Sequence, residues 1–243
     1  MCFADTLKLV RKAQQQHYAV GHFNINNMEI VQAVVRAAEK MKSPVIISTS
    51  EGAIHYAGMD YLVSIAATAA EKASVPIALH LDHGRDMDII RKAIASGYSS
   101  VMIDASHEPW EKNIKVTKSV VALAHRHHLA VEAELGTIGG AEDLVSSRRI
   151  LYTDPLAAKE FVERSGCDIL AIAIGTSHGA YKFAGKANLR MDLLREIRQR
   201  TKIPLVLHGA SGVYPALTQQ AQRYGAKLTG VRGVPESQIR RAI

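Results

Sequence analysis

Cysteine is nearly absent from this sequence. Only Cys2 and Cys167 occur, and neither has a second Cys or a His beside it at metal-binding spacing. A disulfide framework and a zinc finger are therefore excluded, and a reducing, cytoplasmic setting is expected. Long apolar runs are missing as well. Met1–Gln16 alternates apolar and charged residues at helical spacing without a continuous apolar stretch, and no later run reaches bilayer length, so neither export nor a membrane partner is expected. Linkers, low-complexity tracts and clustered basic arms are also lacking. The net charge of +7 is spread thinly, and Arg11-Lys12, Arg148-Arg149 and Arg240-Arg241 are too short to grip nucleic acid. No nucleic-acid partner is expected. A phosphorylated small molecule is the natural partner for the excess charge, and a merely basic coat is the alternative.

What is present is a regular alternation. With 243 residues, 47% of them hydrophobic, the chain has the size of one α/β barrel. Short β-branched or apolar runs predict strands at Ala19–Asn24, Val45–Thr49, Ile77–Asp82, Ser100–Asp104, Ala130–Glu134, Ile169–Gly175 and Leu205–His208. Between them, 3.6-residue periodicity predicts helices at Met28–Lys40, Tyr61–Ala73, Met87–Ser96, Trp110–His127, Pro155–Ser165 and Met191–Arg200, with Gly97 and Gly166 as C-caps. Pro44, Pro76 and Pro204 stand just before strands, where a missing N–H costs little. The expected fold is a single α/β domain over residues 1–243, a (β/α)8 TIM barrel whose eighth strand is missing. After the seventh strand come Val213–Gly233 and a helix start at Val234-Pro235-Glu236, and a C-terminally truncated chain is the expectation.

In such barrels chemistry collects at the C-terminal ends of the strands. The groups expected there are Asn24, Ser50, Glu51, Asp82, His83, Asp104, Ser106, His107, Glu132, Glu134, His178 and His208. Three imidazoles, His83, His178 and His208, with an open fourth position suit a catalytic zinc. Singly, each also fits a plain core or surface histidine, as His17, His55, His80 and His125 do. The glycines beside them, in Asp82-His83-Gly84, Ser177-His178-Gly179 and His208-Gly209-Ala210-Ser211-Gly212, suit a backbone that approaches a phosphate closely.

The runs GHFNINNME (Gly21–Glu29), HLDHG (His80–Gly84), SVMIDASH (Ser100–His107), VEAELGTIGGAED (Val131–Asp143), LYTDP (Leu151–Pro155), AIGTSHGAYK (Ala173–Lys182) and LVLHGASGV (Leu205–Val213) resemble, in order and across the whole chain, the class II fructose-bisphosphate and tagatose-bisphosphate aldolases. The resemblance implies reversible cleavage of fructose 1,6-bisphosphate to dihydroxyacetone phosphate and glyceraldehyde 3-phosphate. It implies Zn2+ on His83, His178 and His208, with Asp104 and Glu134 able to hold a metal in an alternative or second position. Asp82 matches the residue that exchanges a proton with the C4 hydroxyl, and Glu142 the acid that moves a proton at C3. Gly179, Lys182, Gly209, Ala210 and Ser211 match the phosphate-holding positions, and Asn24 a substrate contact. A second divalent ion, a monovalent cation and a homodimer or homotetramer also follow from the resemblance.

The chemistry accounts for the set. Breaking C3–C4 of a ketose leaves an enediolate whose charge a zinc ion can hold, so no Schiff-base lysine is needed. The pattern departs from the family in two places. An eighth strand of the type NIDTDLR is not in this sequence, which predicts little turnover for these residues alone, and the stretch Ser146-Ser147-Arg148-Arg149 carries basic residues. Tagatose bisphosphate differs only at C4, a contrast worth about 1–3 kcal/mol. A catalytically silent zinc-binding barrel and a zinc hydrolase on the same barrel are the competing readings.

Overall fold

Strands with both faces covered read as largely apolar runs, and two stretches that begin apolar and end polar form the centre of the fold. In a computed structural model that describes residues 3–142, 145–147, 151–179, 188–228 and 231–243, with side chains throughout except at 141, 142 and 145–147, they become β2 (Val45–Thr49) and β3 (Ile77–Gly84), buried at every residue. Their partners are β1 (Gly21–Asn24), β4 (Ser100–Ile103), β5 (Ala130–Leu135), β8 (Ile169–Ile172) and β10 (Leu205–Val206). Together these are the seven expected strands, an α/β fold of the TIM-barrel type.

The chain divides into two compact units, Met1–Glu134 with Val162–Leu170, and Leu135–Phe161 with Ala171–Ile243. The crossings fall inside β5, inside the helix α7 (Pro155–Ser165) and inside β8, so no linker marks them.

In the first unit the ladder runs β1-β2-β3-β4-β5-β8, with the parallel register Asn24↔Ser48 and Ser48↔His80. Helices α1 (Thr6–Gln16), α2 (Met28–Met41), α3 (Glu51–Ala57), α4 (Met59–Lys72), α5 (Met87–Ala95) and α6 (Trp110–His125) connect the strands. The starts of α1, α2, α3 and α5 follow from side-chain caps: Asp5, Asn27, Ser50 and Asp86 each accept a hydrogen bond from a first-turn backbone N–H. Gly97 and Gly166 lie just past helix ends with φ of 86° and 75°, as expected of C-caps. The helical spacing within Met1–Gln16 becomes α1, whereas α3 lies where no helix was assigned.

In the second unit β8 carries on to β10, and a separate sheet runs β7-β6-β9, made of β6 (Gly139–Glu142), β7 (Val145–Ser147) and β9 (Ser177–His178). The expected sixth and seventh strands end early, at Ile172 and Val206. The backbone N–H of Ala173 donates to the hydroxyl of Thr153 at 2.8 Å. Gly175 turns the chain with φ 113°. Helix α8 (Met191–Thr201) follows, then α9 (Pro215–Arg223), which starts on a proline within Val213–Gly233, where no helix was assigned, and α10 (Glu236–Ala242), where a helix start was expected.

Candidate functional site

Adjacent residues of a strand point to opposite faces, so Asp82 and His83 could not both serve one site in a plain strand. The structure resolves this with a bulge. Leu81 pairs with Val101 and Gly84 with Ile103, so β3 carries one residue more than β4 between those points, and His83 takes a left-handed backbone with φ 45°. A buried, non-glycine residue in that conformation stores strain, a device that clusters at functional sites. Gly84 closes the bulge, where a Cβ would lie 2.6 Å from the carbonyl oxygen of Met102. Glu51, at the start of α3, accepts hydrogen bonds from the backbone N–H groups of Arg85 and Asp86 at 2.6 and 2.7 Å and fixes the exit of the chain.

Around the bulge the first unit gathers a polar cluster. Asn24 donates to Asp82 Oδ2 at 2.9 Å. The hydroxyl of Ser48 donates to Asn24 Oδ1, so the small Ser48 side chain on β2 lets β1 reach β3. His83 Nε2 lies 3.9 Å from Asp82 Oδ1, and its Nδ1 lies 3.2 Å from Asp104 Oδ2 and 3.7 Å from Glu134 Oε2. One donor atom each from His83, Asp104 and Glu134 falls within a 4.8 Å group, all three buried. Asn113 on α6 holds the Glu134 carbonyl at 3.1 Å.

Burial alone would raise the Asp104 carboxyl. The hydrogen bond from His83, together with the charges of His83 and Arg85, outweighs that cost and holds it far below the usual carboxylate range. Asp104 is thus an acceptor only, and His83 Nδ1 donates the proton between them.

In the second unit His178 lies in β9, not at the end of β8, and His208 lies two residues past β10. Their ring centroids are 6.1 Å apart, a separation that one ion can bridge with nitrogens about 2 Å from it. Gly140 (φ 90°) pairs with His178 across β6 and β9. Gly179 and Gly209 have φ of 80° and 63°. A Cβ on Gly209 would stand 2.5 Å from the Ser177 carbonyl oxygen, so packing against β9 alone requires glycine there. Ala210 is half-buried and Ser211 exposed, with the Ser211 carbonyl accepting from Val234 N–H at 3.1 Å.

Glu142 ends β6 and pairs with Val145 of the antiparallel β7. Its side chain, residues 148–150 and Lys182 lie outside the described residues. Burial pushes the Cys167 thiol up to about 12, which keeps it protonated and out of nucleophilic chemistry at neutral pH. Among the described residues no helix is long and apolar enough to cross a membrane.

Two contributors were missed in the sequence. Ser48 was taken only as part of a strand, although its register with Asn24 marks it as inward-facing. Arg85, directly after Asp82-His83-Gly84, donates to Asp104 from Nη2 at 2.7 Å and from Nε at 3.2 Å; its place beside the motif was the available signal.

Comparison with known proteins gives the family. The family described as "Fructose-bisphosphate aldolase class-II" matches residues 4–242. The fructose-bisphosphate aldolase of Giardia intestinalis is 46% identical over 97% of this chain and 74% of its own length. That of Thermus caldophilus is 45% identical over 98% and 78%. Among solved structures, the YdjI aldolase of Escherichia coli K12 superposes with a TM-score of 0.77 at 38% identity, over 96% of this chain and 80% of its own. The chain belongs to the class II fructose-bisphosphate aldolase family.

Proposed function

We propose that the protein, as one barrel domain, reversibly cleaves fructose 1,6-bisphosphate to dihydroxyacetone phosphate and glyceraldehyde 3-phosphate. The observation that carries this reading is the β3 bulge, which holds Asp82 and His83 together in a chain of this family. The donor set fits zinc: imidazoles and carboxylates, buried, with His83 turned by Asp104 to present Nε2. His83, His178 and His208 would hold the ion, with Asp104 and Glu134 as the family's alternative or second position. Zinc there supplies the electrophile that holds the negative charge developing on the ketose oxygens as C3–C4 breaks.

The chain's own residues do the rest. Asp82, oriented by Asn24, takes the C4 hydroxyl proton as the C3–C4 electron pair passes to the C3 side and C4 becomes the aldehyde carbon. Glu142 moves the proton at C3. Gly179, Lys182, Gly209, Ala210 and Ser211 bind the phosphate of the ketone half, and Asn24 also touches substrate. The same reading carries a monovalent cation at the phosphate site, a homodimer or homotetramer, and a cytoplasmic location.

Fructose is favoured over tagatose because curated relatives at 43–46% identity are named fructose-bisphosphate aldolases. The test runs both sugars in parallel on zinc-loaded protein expressed from its whole reading frame. Fructose 1,6-bisphosphate is expected to be cleaved faster by about tenfold or more, the scale of a single-contact contrast. Faster cleavage of tagatose 1,6-bisphosphate reassigns the sugar, and cleavage of neither sinks the reading.

A further inference from the structure

Asp104 sits where a second metal would need it, yet its carboxylate is already full. Oδ2 accepts from Arg85 Nη2 at 2.7 Å and Nε at 3.2 Å, and lies 3.2 Å from His83 Nδ1. Oδ1 accepts from the Ser106 hydroxyl at 2.7 Å and the Ser106 backbone N–H at 3.2 Å. A carboxylate offers about four lone-pair directions, and donors stand on all of them. An ion ligated by Oδ2 at about 2 Å would have to share that oxygen with a guanidinium and an imidazole.

We infer that Arg85 takes the place of a second divalent cation in this protein: its guanidinium neutralises Asp104 and turns it from a metal ligand into the group that orients His83. The inference rests on the zinc reading above and sharpens it, since it leaves one ion, held through His83 Nε2, and none on the Nδ1 side where Asp104 and Glu134 stand. Charge supports it. Asp104 and Glu134 are buried, and the Arg85 side chain, about one-third exposed, supplies a fixed positive charge where a second ion would otherwise do so. A guanidinium is always charged and makes its fork of donors without exchange. Arg85 is therefore a positioning residue, acting on the metal through Asp104 and His83.

The experiment counts tightly bound zinc by atomic absorption after equilibrium dialysis in wild type, Arg85→Gln, Arg85→Lys, and Arg85→Gln combined with Glu134→Gln. Glutamine keeps a donor near Asp104 without the charge, and folding of each variant is checked by circular dichroism. The expected counts are one equivalent in wild type and in Arg85→Lys, two in Arg85→Gln, and one again in the double variant. The second equivalent should bind Arg85→Gln about 10- to 100-fold more tightly than wild type, the scale of such outer-shell effects. Two tight equivalents in wild type, or one in Arg85→Gln, overturns the inference while leaving the zinc reading intact. No zinc in wild type overturns both. Should Arg85→Gln fail to fold, cobalt(II) titration of wild type decides: absorption saturating at one equivalent supports the inference, and a second tight step overturns it.

Discussion

Replacing Asp82 by asparagine is expected to lower kcat for fructose 1,6-bisphosphate cleavage by about 10²- to 10⁴-fold, the range of a lost general base, with KM and zinc content little changed. Asparagine keeps the shape and can still accept from Asn24 through its amide oxygen, so the hydrogen bond that orients position 82 survives. What is lost is the capacity to take a proton from C4–OH. Steady-state kinetics beside metal analysis separates the two roles available to Asp82. A drop in kcat at constant zinc identifies proton transfer. Loss of zinc at unchanged turnover per bound metal would make Asp82 only a support for His83.

Alanine at His83, His178 or His208 is expected to cost on the order of 10³-fold in kcat/KM, about 4 kcal/mol of barrier, together with the bound zinc. Alanine at His125 should leave both nearly unchanged, because that half-exposed ring pairs with Asp168 at 2.8 Å away from the bulge. The contrast matters because histidines are common here: 11 occur in the sequence, and only those whose loss removes zinc belong to the metal. Retention of zinc by the His178 variant would remove that residue from the ligand set.

The long elements were legible because they carry a period. Val45–Thr49 and Ile77–Asp82 are mostly apolar runs ending in polar residues, and α2, α5 and α7 lie within about a turn of their expected bounds. The short ones carry none. A two-residue strand such as Ser177–His178 has no alternation to read, and Gly139-Gly140 suggests a turn until β9 is seen beside it. The site was legible as a set of residue types, but its geometry was not. A run of Asp-His-Gly does not say that His83 adopts a positive φ; that follows from the register of β3 against β4. Nor does it say that Arg85 folds back onto Asp104, 19 residues further along the chain.

Cleavage is expected to depend on zinc held by this chain's histidines. The direct test strips the protein with a chelator, confirms the loss of metal by atomic absorption, and follows fructose 1,6-bisphosphate cleavage as zinc is returned. Activity should fall to background and recover in proportion to bound zinc, reaching its plateau at one equivalent. Full activity in protein shown to be free of metal would contradict the account.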